Sequence, residues 1–262
     1  MRSHTSDSLR VIAHADDLGM SHRVNSAIER ALQQGLLSSV SIMANGIAFN
    51  EGVQIVQRFP HVSVGAHLNL SEFAALTGPT MGASFVDTSG AFRLRPKPWL
   101  SRLDRDRAVR EWQSQVERIR AAGIELTHID SHHHVHTLPM LFPVLKRVQK
   151  ATGIARVRTT RNMPRRLRST SSLIKSATKV VWQSALREIA PRAICTDLFG
   201  SVSDFIEAST VRDREWWTGR VIEIMCHPGH PSVEFRAEMH ELEAGLLTSA
   251  DISLISYAEL SG

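Results

Sequence analysis

The chain has 262 residues, 42% of them hydrophobic, and a formal net charge of +5 at pH 7. This length favours one domain with an ordinary buried core, and no apolar run approaches the roughly 20 residues that a membrane-spanning helix needs. Cys195 and Cys226 lie too far apart for a disulfide framework or a C-x-x-C motif. Since the first ten residues contain no apolar segment typical of a secretion signal, we expect a soluble cytoplasmic protein.

The first 70 residues predict alternating strands and helices. The apolar run 9–15 is typical of a buried strand. Ser21 is a suitable N-cap for a helix that carries an apolar residue at every fourth position and ends near Gly35. A strand over 36–44 and a shorter helix over 49–60 follow, and then a third strand over 62–70.

The same alternation returns after residue 103. Residues 71–103 interrupt it with several glycines and prolines, and they predict a long loop inserted in a single domain that covers 1–262. The later elements are helices over 105–123 and 138–153 and strands over 124–130, 154–158, 219–226 and 250–256.

Seven strands that alternate with helices indicate a parallel sheet covered by helices. The number is close to the eight strands of a closed (β/α) barrel, so we predict an α/β fold with a distorted TIM-type barrel. A doubly wound open sheet is the alternative, but no G-x-G-x-x-G motif follows the first strand.

Most of the positive charge is concentrated in residues 156–187, which contain nine Arg or Lys and no Asp or Glu. Removing these nine charges from the net +5 leaves about −4 on the other 230 residues. Such a segment is either a solvated surface or a weak contact for an anionic partner, such as a phosphorylated substrate or a membrane surface. Nucleic acid is the least favoured partner, because no aromatic residues are interleaved with the charges.

Acidic and histidine side chains follow four of the predicted strands. In a (β/α) barrel the carboxyl ends of the strands meet on one face, where active sites lie. Each residue alone has an ordinary interpretation, as a helix cap, a core histidine or a loop residue, but their common position favours a site. The residues are Asp16 and Asp17 after the first strand, His67 in the third, Asp130, His132 and His134 around the end of the fourth, and His227 after the strand 219–226.

Carboxylate oxygen and imidazole nitrogen suit a divalent ion such as zinc. Catalytic metal sites use three protein ligands and keep one position open. Adjacent aspartates suit a division of roles, one holding the ion and the other free as a base, because successive side chains point in different directions. We expect Asp130 to orient a ligating imidazole.

Five segments of the sequence resemble the YdjC-like carbohydrate deacetylases, a family that includes chitooligosaccharide deacetylases and hopanoid-associated deacetylases. The segments, which fall within residues 9–230, are ADDLG, GAHLNL, THIDSHHHVH, RVRTTRNMP and EIMCHPG. The resemblance implies a barrel-like fold and the metal-dependent removal of an N-acetyl group from an amino sugar. DSHHHVH is closer to the oligosaccharide branch than to the hopanoid branch.

The resemblance also implies a role for each matching residue. Asp16 becomes the general base, His227 the general acid, and Arg158 a substrate-binding residue. One divalent ion, zinc or magnesium, is held by Asp17, His67 and His132. The neighbouring histidines are then not ligands, although His134 lies two residues from His132 and could face the same way.

The sequence departs from the family in two places: Leu18 stands where the family commonly has Phe, and 71–103 shows little resemblance. A metal-dependent phosphoesterase and a non-catalytic metal- or carbohydrate-binding module are the alternative functions. We further expect Arg165, Arg166 and Arg168 to form an outer basic patch. The sequence leaves open whether the protein forms a homodimer.

Overall fold

A computed structural model describes residues 8–93, 100–164 and 170–261. Its strands are β1 Leu9–Leu18, β2 Ser39–Ile42, β3 Ser63–Leu68, β4 Leu126–Ser131, β5 Arg156–Val157, β6 Leu198–Ser201, β7 Val221–Cys226 and β8 Ile252–Leu254. Its α-helices are α1 His22–Gln33, α2 Phe49–Gln57, α3 Arg102–Ala121, α4 Phe142–Thr152, α5 Thr170–Glu188, α6 Val202–Val211, α7 Arg214–Trp217 and α8 Val233–Glu243.

The strands form one curled parallel sheet in the order β5-β4-β3-β2-β1-β7-β6, and β8 pairs with the amino-terminal end of β1. Isolated parallel bridges, Arg156 with Ile194 and Asn162 with Phe199, connect the two edges of this order. The predicted distorted barrel is therefore confirmed, with one strand more than the sequence indicated. The additional strand is β6, whose sequence LFGS offers only two consecutive apolar residues, Leu198 and Phe199, as a signal.

Local capping explains several helix boundaries. Ser21 is the N-cap of α1, and its hydroxyl accepts a hydrogen bond from the backbone N–H of Val24, as the sequence predicts. Helix α3 begins at Arg102, three residues earlier than expected. There the side chain of Ser101 accepts from the backbone N–H of Asp104, whose carboxylate accepts from Ser101 in return.

Within the predicted loop over 71–103, the described stretch 71–93 has structure of its own, and residues 102–103 already belong to α3. The stretch 71–93 contains a short 3-10 helix, Gly78–Met81, and Phe85 is completely buried against the core. The carboxylate of Glu111, on α3, accepts hydrogen bonds from the backbone N–H groups of Leu76 and Thr77. These contacts fasten the segment to the barrel beside the carboxyl end of β3.

The inner face of the sheet is polar. Alternate positions along its strands carry buried polar or charged side chains, whereas the apolar side chains between them contribute to the hydrophobic core. The polar interior includes His14, Asp16, Ser39, Ser41, His67, His128, Asp130 and Glu223. An interior of this kind can support a charged site at the end of the barrel.

The remaining expectations about the chain concern cysteines and membranes. Both cysteines are buried and unpaired. Within the three described ranges, none of the helices combines the length and the apolar character that a membrane span requires.

Candidate active site at the carboxyl ends of the strands

The end of β1 is bulged where the two aspartates lie. The register with β2 shifts between Ala15 and Leu18, so that Asp16 and Asp17 together oppose the single residue Ser41. Asp17 has a positive φ of 70°, which is unusual for a residue other than glycine. Successive residues of a regular strand point to opposite faces, and a bulge redirects a side chain. This bulge accounts for two adjacent carboxylates that both serve the same end of the barrel.

Asp17, His67 and His132 come together in three dimensions from three different strand ends. Asp17 Oδ1 lies 3.1 Å from Nε2 of His67 and 2.8 Å from Nδ1 of His132, and all three residues are more than 90% buried. Neither contact is oriented as a hydrogen bond to Asp17 Oδ1. Ligands that share an ion at about 2.1 Å lie about 3 Å from each other. The donor atoms, their spacing and the orphaned carboxylate oxygen therefore fit one divalent ion.

Asp130 orients His67. The two residues are paired in the register of β3 and β4, and Nδ1 of His67 lies 2.9 Å from Asp130 Oδ1 and 2.8 Å from the hydroxyl of Ser41. These contacts fix the imidazole with Nε2 directed towards Asp17. A carboxylate on the remote nitrogen of a ligating histidine is a common arrangement in metal sites, and that role of Asp130 stays a prediction.

Arg158 is completely buried beneath the site and holds Asp16. Its guanidinium donates to both carboxylate oxygens of Asp16, at 2.9 and 2.7 Å, and also contacts Asp130 at 2.9 Å and Glu223 at 2.8 Å. Burial alone would raise the pKa of Asp16, but the charges of Arg158 and His67, together with the hydrogen bonds from Arg158, outweigh that effect and lower the pKa to about 2. Asp16 is therefore ionised at neutral pH.

The buried position of Arg158 differs from that of a residue which contacts the substrate. Arg158 exposes no surface to a substrate, and its donors are directed at buried carboxylates. The geometry favours support of Asp16 over direct binding of the sugar. Arg165, Arg166 and Arg168 lie outside the described residues, so the outer basic patch stays a prediction.

His227 follows β7 and stands beside Asp16, with Nε2 at 3.8 Å from Asp16 Oδ2. Its side chain is 16% exposed, compared with 2% for Asp16, so it faces the opening of the site. The ring stacks on Phe235 of α8, with ring centres 4.2 Å apart and an angle of 28° between the planes. A histidine held in this way can reach a bound molecule and stay close to the carboxylate.

The other histidines of the 132–136 cluster have different contacts. His134 packs edge-on against Phe199, and burial lowers its pKa to about 3. His136 shares a hydrogen bond with the Ser131 hydroxyl, and burial lowers its pKa to about 4. Within the described residues, the three-ligand group around Asp17 includes neither of them.

Sequence reasoning did not find four residues of the buried network: His14, His128, Glu223 and Tyr257. The Tyr257 hydroxyl donates to Glu223, and its ring stacks on His128 with centres 3.7 Å apart. A signal was available, because His14 and His128 each lie two residues before a predicted site aspartate, on the same face of the strand. Glu223 is the one charged residue in the apolar strand 221–226.

Comparison with known proteins identifies relatives that are named carbohydrate deacetylases. A carbohydrate deacetylase of Halalkalibacterium halodurans is 29% identical over 255 residues, which cover 96% of this chain and 98% of that protein. A carbohydrate deacetylase of Vibrio campbellii is 37% identical over 145 residues, 53% of this chain and 55% of that protein.

A solved structure has the same fold along nearly the whole length of this chain. A protein of Enterococcus faecalis, provisionally described as a cellobiose-phosphate cleavage protein, superposes with a TM-score of 0.71 at 21% identity. The match covers 97% of this chain and all of that chain. The family model described as YdjC-like protein matches residues 10–255. The chain therefore belongs to the YdjC-like family.

Proposed function

We propose that this protein is a metal-dependent carbohydrate deacetylase that hydrolyses the N-acetyl group of an amino sugar. The observation that carries the proposal is the convergence of Asp17, His67 and His132 within about 3 Å contacts, next to the ionised Asp16 and the partly exposed His227. Names of the curated relatives, which are carbohydrate deacetylases, support the same reaction.

Asp17, His67 and His132 would hold the ion. A divalent ion held there supplies Lewis acidity, which polarises a carbonyl oxygen and makes a water molecule more acidic. Asp16 accepts a proton from the water that attacks the acetyl carbon, because its carboxylate is ionised and its oxygens can each accept a further hydrogen bond. Arg158 keeps that carboxylate in place with two parallel hydrogen bonds.

His227 acts at the leaving group. When the bond between the acetyl carbon and nitrogen breaks, the departing amine needs a proton, and the partly exposed His227 beside Asp16 is placed to donate it. The balanced reaction consumes one water and releases acetate and the free amino sugar. Stacking on Phe235 limits rotation of the imidazole and keeps it at the mouth of the site.

A chitooligosaccharide-like substrate is the sugar we favour, because the DSHHHVH segment is closest to the oligosaccharide branch of the family. The basic segment gives little support to a phosphoesterase. Its residue at the site, Arg158, is compensated by the buried carboxylates of Asp16, Asp130 and Glu223, and so it offers no free positive charge to a phosphate.

The assay that tests the proposal compares two substrate classes. Protein loaded with zinc or magnesium is incubated with N-acetylated chitooligosaccharides and, separately, with a generic phosphoester, and acetate and phosphate are measured. We expect acetate release that is lost in Asp16→Asn. Phosphate release without acetate would establish the phosphoesterase, and release of neither product would favour a non-catalytic binding module.

A further inference from the structure

A further carboxylate approaches His132 of the proposed metal centre, at the ring nitrogen that does not face Asp17. Glu72, four residues beyond β3, places Oε2 at 3.6 Å from Nε2 of His132 and Oε1 at 3.8 Å from Nε2 of His133. Nε2 of His132 is buried and has no hydrogen-bond partner among the described residues. The nitrogen on the other side of the same ring, Nδ1, is the one that faces Asp17 at 2.8 Å.

The backbone that carries Glu72 is fixed by two asparagine side chains, one after the end of β2 and one after the end of β3. Amide groups of Asn45 and Asn69 both donate to the carbonyl oxygen of Glu72, at 3.2 and 2.7 Å. The next residue, Phe73, has a positive φ of 62°, a conformation that costs free energy in residues other than glycine. These contacts keep the backbone of Glu72 next to His132. The Glu72 side chain is one-third exposed, and a shift of a few tenths of an ångström would bring Oε2 from 3.6 Å to hydrogen-bond distance of His132 Nε2.

The arrangement repeats the one around His67. There, one ring nitrogen faces Asp17 and the other contacts the Asp130 carboxylate at 2.9 Å. A histidine that ligates a metal usually donates its remote N–H to a carboxylate or carbonyl, which fixes the tautomer and strengthens the ligand. His132 has a single carboxylate within 4 Å of its remote nitrogen in the described chain, and it is that of Glu72.

We propose that Glu72 is a positioning residue for the metal centre, which acts by accepting the Nε2 hydrogen of His132. This inference rests on the proposed metal site. In that state Nδ1 of His132 is the deprotonated nitrogen that faces the ion, and Glu72 balances part of the positive charge. The two supporting carboxylates differ in exposure. Asp130 is completely buried, whereas the Glu72 side chain is one-third exposed and lies at the opening of the site.

The same atoms could instead bind a second ion, since Glu72, His132 and His133 also lie close enough to share one. A neutral imidazole has one lone pair for a metal, so His132 cannot serve both ions without losing its last proton. The partly exposed position of His133 and Glu72 gives such an ion little protection from water. The positioning role is therefore the better reading of the cluster.

The test measures metal affinity and stability rather than turnover. Zinc affinity is determined by competition with a chelator for the wild type, Glu72→Ala, Glu72→Gln and His67→Ala, with Glu125→Ala as a control that removes an exposed carboxylate outside the site. We expect one ion in the wild type and none in His67→Ala. Affinity should fall about 10–100-fold in Glu72→Ala and less in Glu72→Gln, whose amide oxygen can still accept the hydrogen bond, while Glu125→Ala is unchanged.

Thermal unfolding of the metal-free proteins separates this role from a general loss of structure, and we expect Glu72→Ala to match the wild type. Unchanged zinc affinity in Glu72→Ala, with loss of the ion in His67→Ala, would overturn the role of Glu72 but leave the metal centre standing. A wild type that binds no ion, or a His67→Ala that keeps it, would overturn both. Two ions in the wild type and one of unchanged affinity in Glu72→Ala would identify a second ion site instead.

Discussion

Replacing Arg158 by Met tests the buried network on which the site rests. The side chain is completely buried, and its guanidinium is the cation shared by the carboxylates of Asp16, Asp130 and Glu223. Met has a similar length but no charge, so the variant leaves these three carboxylates inside the barrel without their guanidinium. Removing one member of a buried ion pair typically costs about 3–5 kcal/mol, and we expect a loss of at least this size at pH 7.

The pH dependence of that loss follows from the sign of the pKa shift. In the wild type the pKa of Asp16 is lowered from 3.8 to about 2, so the stabilisation is fully present above pH 4 and disappears as the pH falls through 2. Without Arg158, burial raises the carboxylate pKa instead. As the pH falls from 7 towards 4, the buried carboxylate of the variant becomes protonated and loses its uncompensated charge. The difference in the free energy of unfolding between the wild type and the variant therefore becomes smaller.

Urea unfolding at pH 7, 5.5 and 4 measures these differences. Arg110→Met is the matched control, because Arg110 is an exposed residue of α3, and we expect a change within about 0.5 kcal/mol. A loss below about 1 kcal/mol in Arg158→Met, or a loss that does not change with pH, would refute the assignment of Arg158 as the shared counter-ion of the network.

Three further predictions concern other parts of the site. Asp17→Asn should lose the bound ion and activity together, whereas Asp16→Asn should keep the ion and lose about 10²–10⁴-fold in acetate release; elemental analysis and kinetics would show the roles reversed if Asp16→Asn is the metal-free protein. Burial lowers the pKa of His136 from 6.5 to about 4, so the unfolded chain binds a proton that the folded chain excludes. Wild-type stability should therefore fall by about 3 kcal/mol more between pH 7 and 4 than that of His136→Gln, and equal slopes in urea unfolding would contradict this. Finally, a Cβ at Gly65 would lie 2.2 Å from Nε2 of His128, so Gly65→Ala should cost about 1–3 kcal/mol or more, and unchanged stability would show that the ring can move aside.

The positions of the strand ends were the most informative part of the sequence. Because parallel strands separated by helices bring their carboxyl ends to one face, the run 9–15 and the cap at Ser21 were sufficient to place the two aspartates there. The same reasoning placed His67 and His132 beside them, although they lie 65 residues apart in the sequence. Contact between these residues depends on topology, which the alternation of strands and helices predicts well.

Other features depend on contacts that no local pattern records. The bulge that turns Asp16 and Asp17 to one end arises from register with β2, and the burial of Arg158 arises from three carboxylates on three different strands. The charge of the segment 156–187 suggested an exposed surface, yet Arg158 within it is an interior residue. Net charge describes a segment as a whole and does not indicate which of its members is paired inside the fold.

The central claim is that one divalent ion at Asp17, His67 and His132 enables removal of an N-acetyl group. It is tested most directly by titrating metal-stripped wild-type protein with zinc or magnesium and measuring acetate release from an N-acetylated chitooligosaccharide at each step. We predict no release without metal, a rise with each addition, and a plateau at one equivalent of ion per chain. Full release from the metal-stripped protein, or no release at any metal content, would contradict the claim.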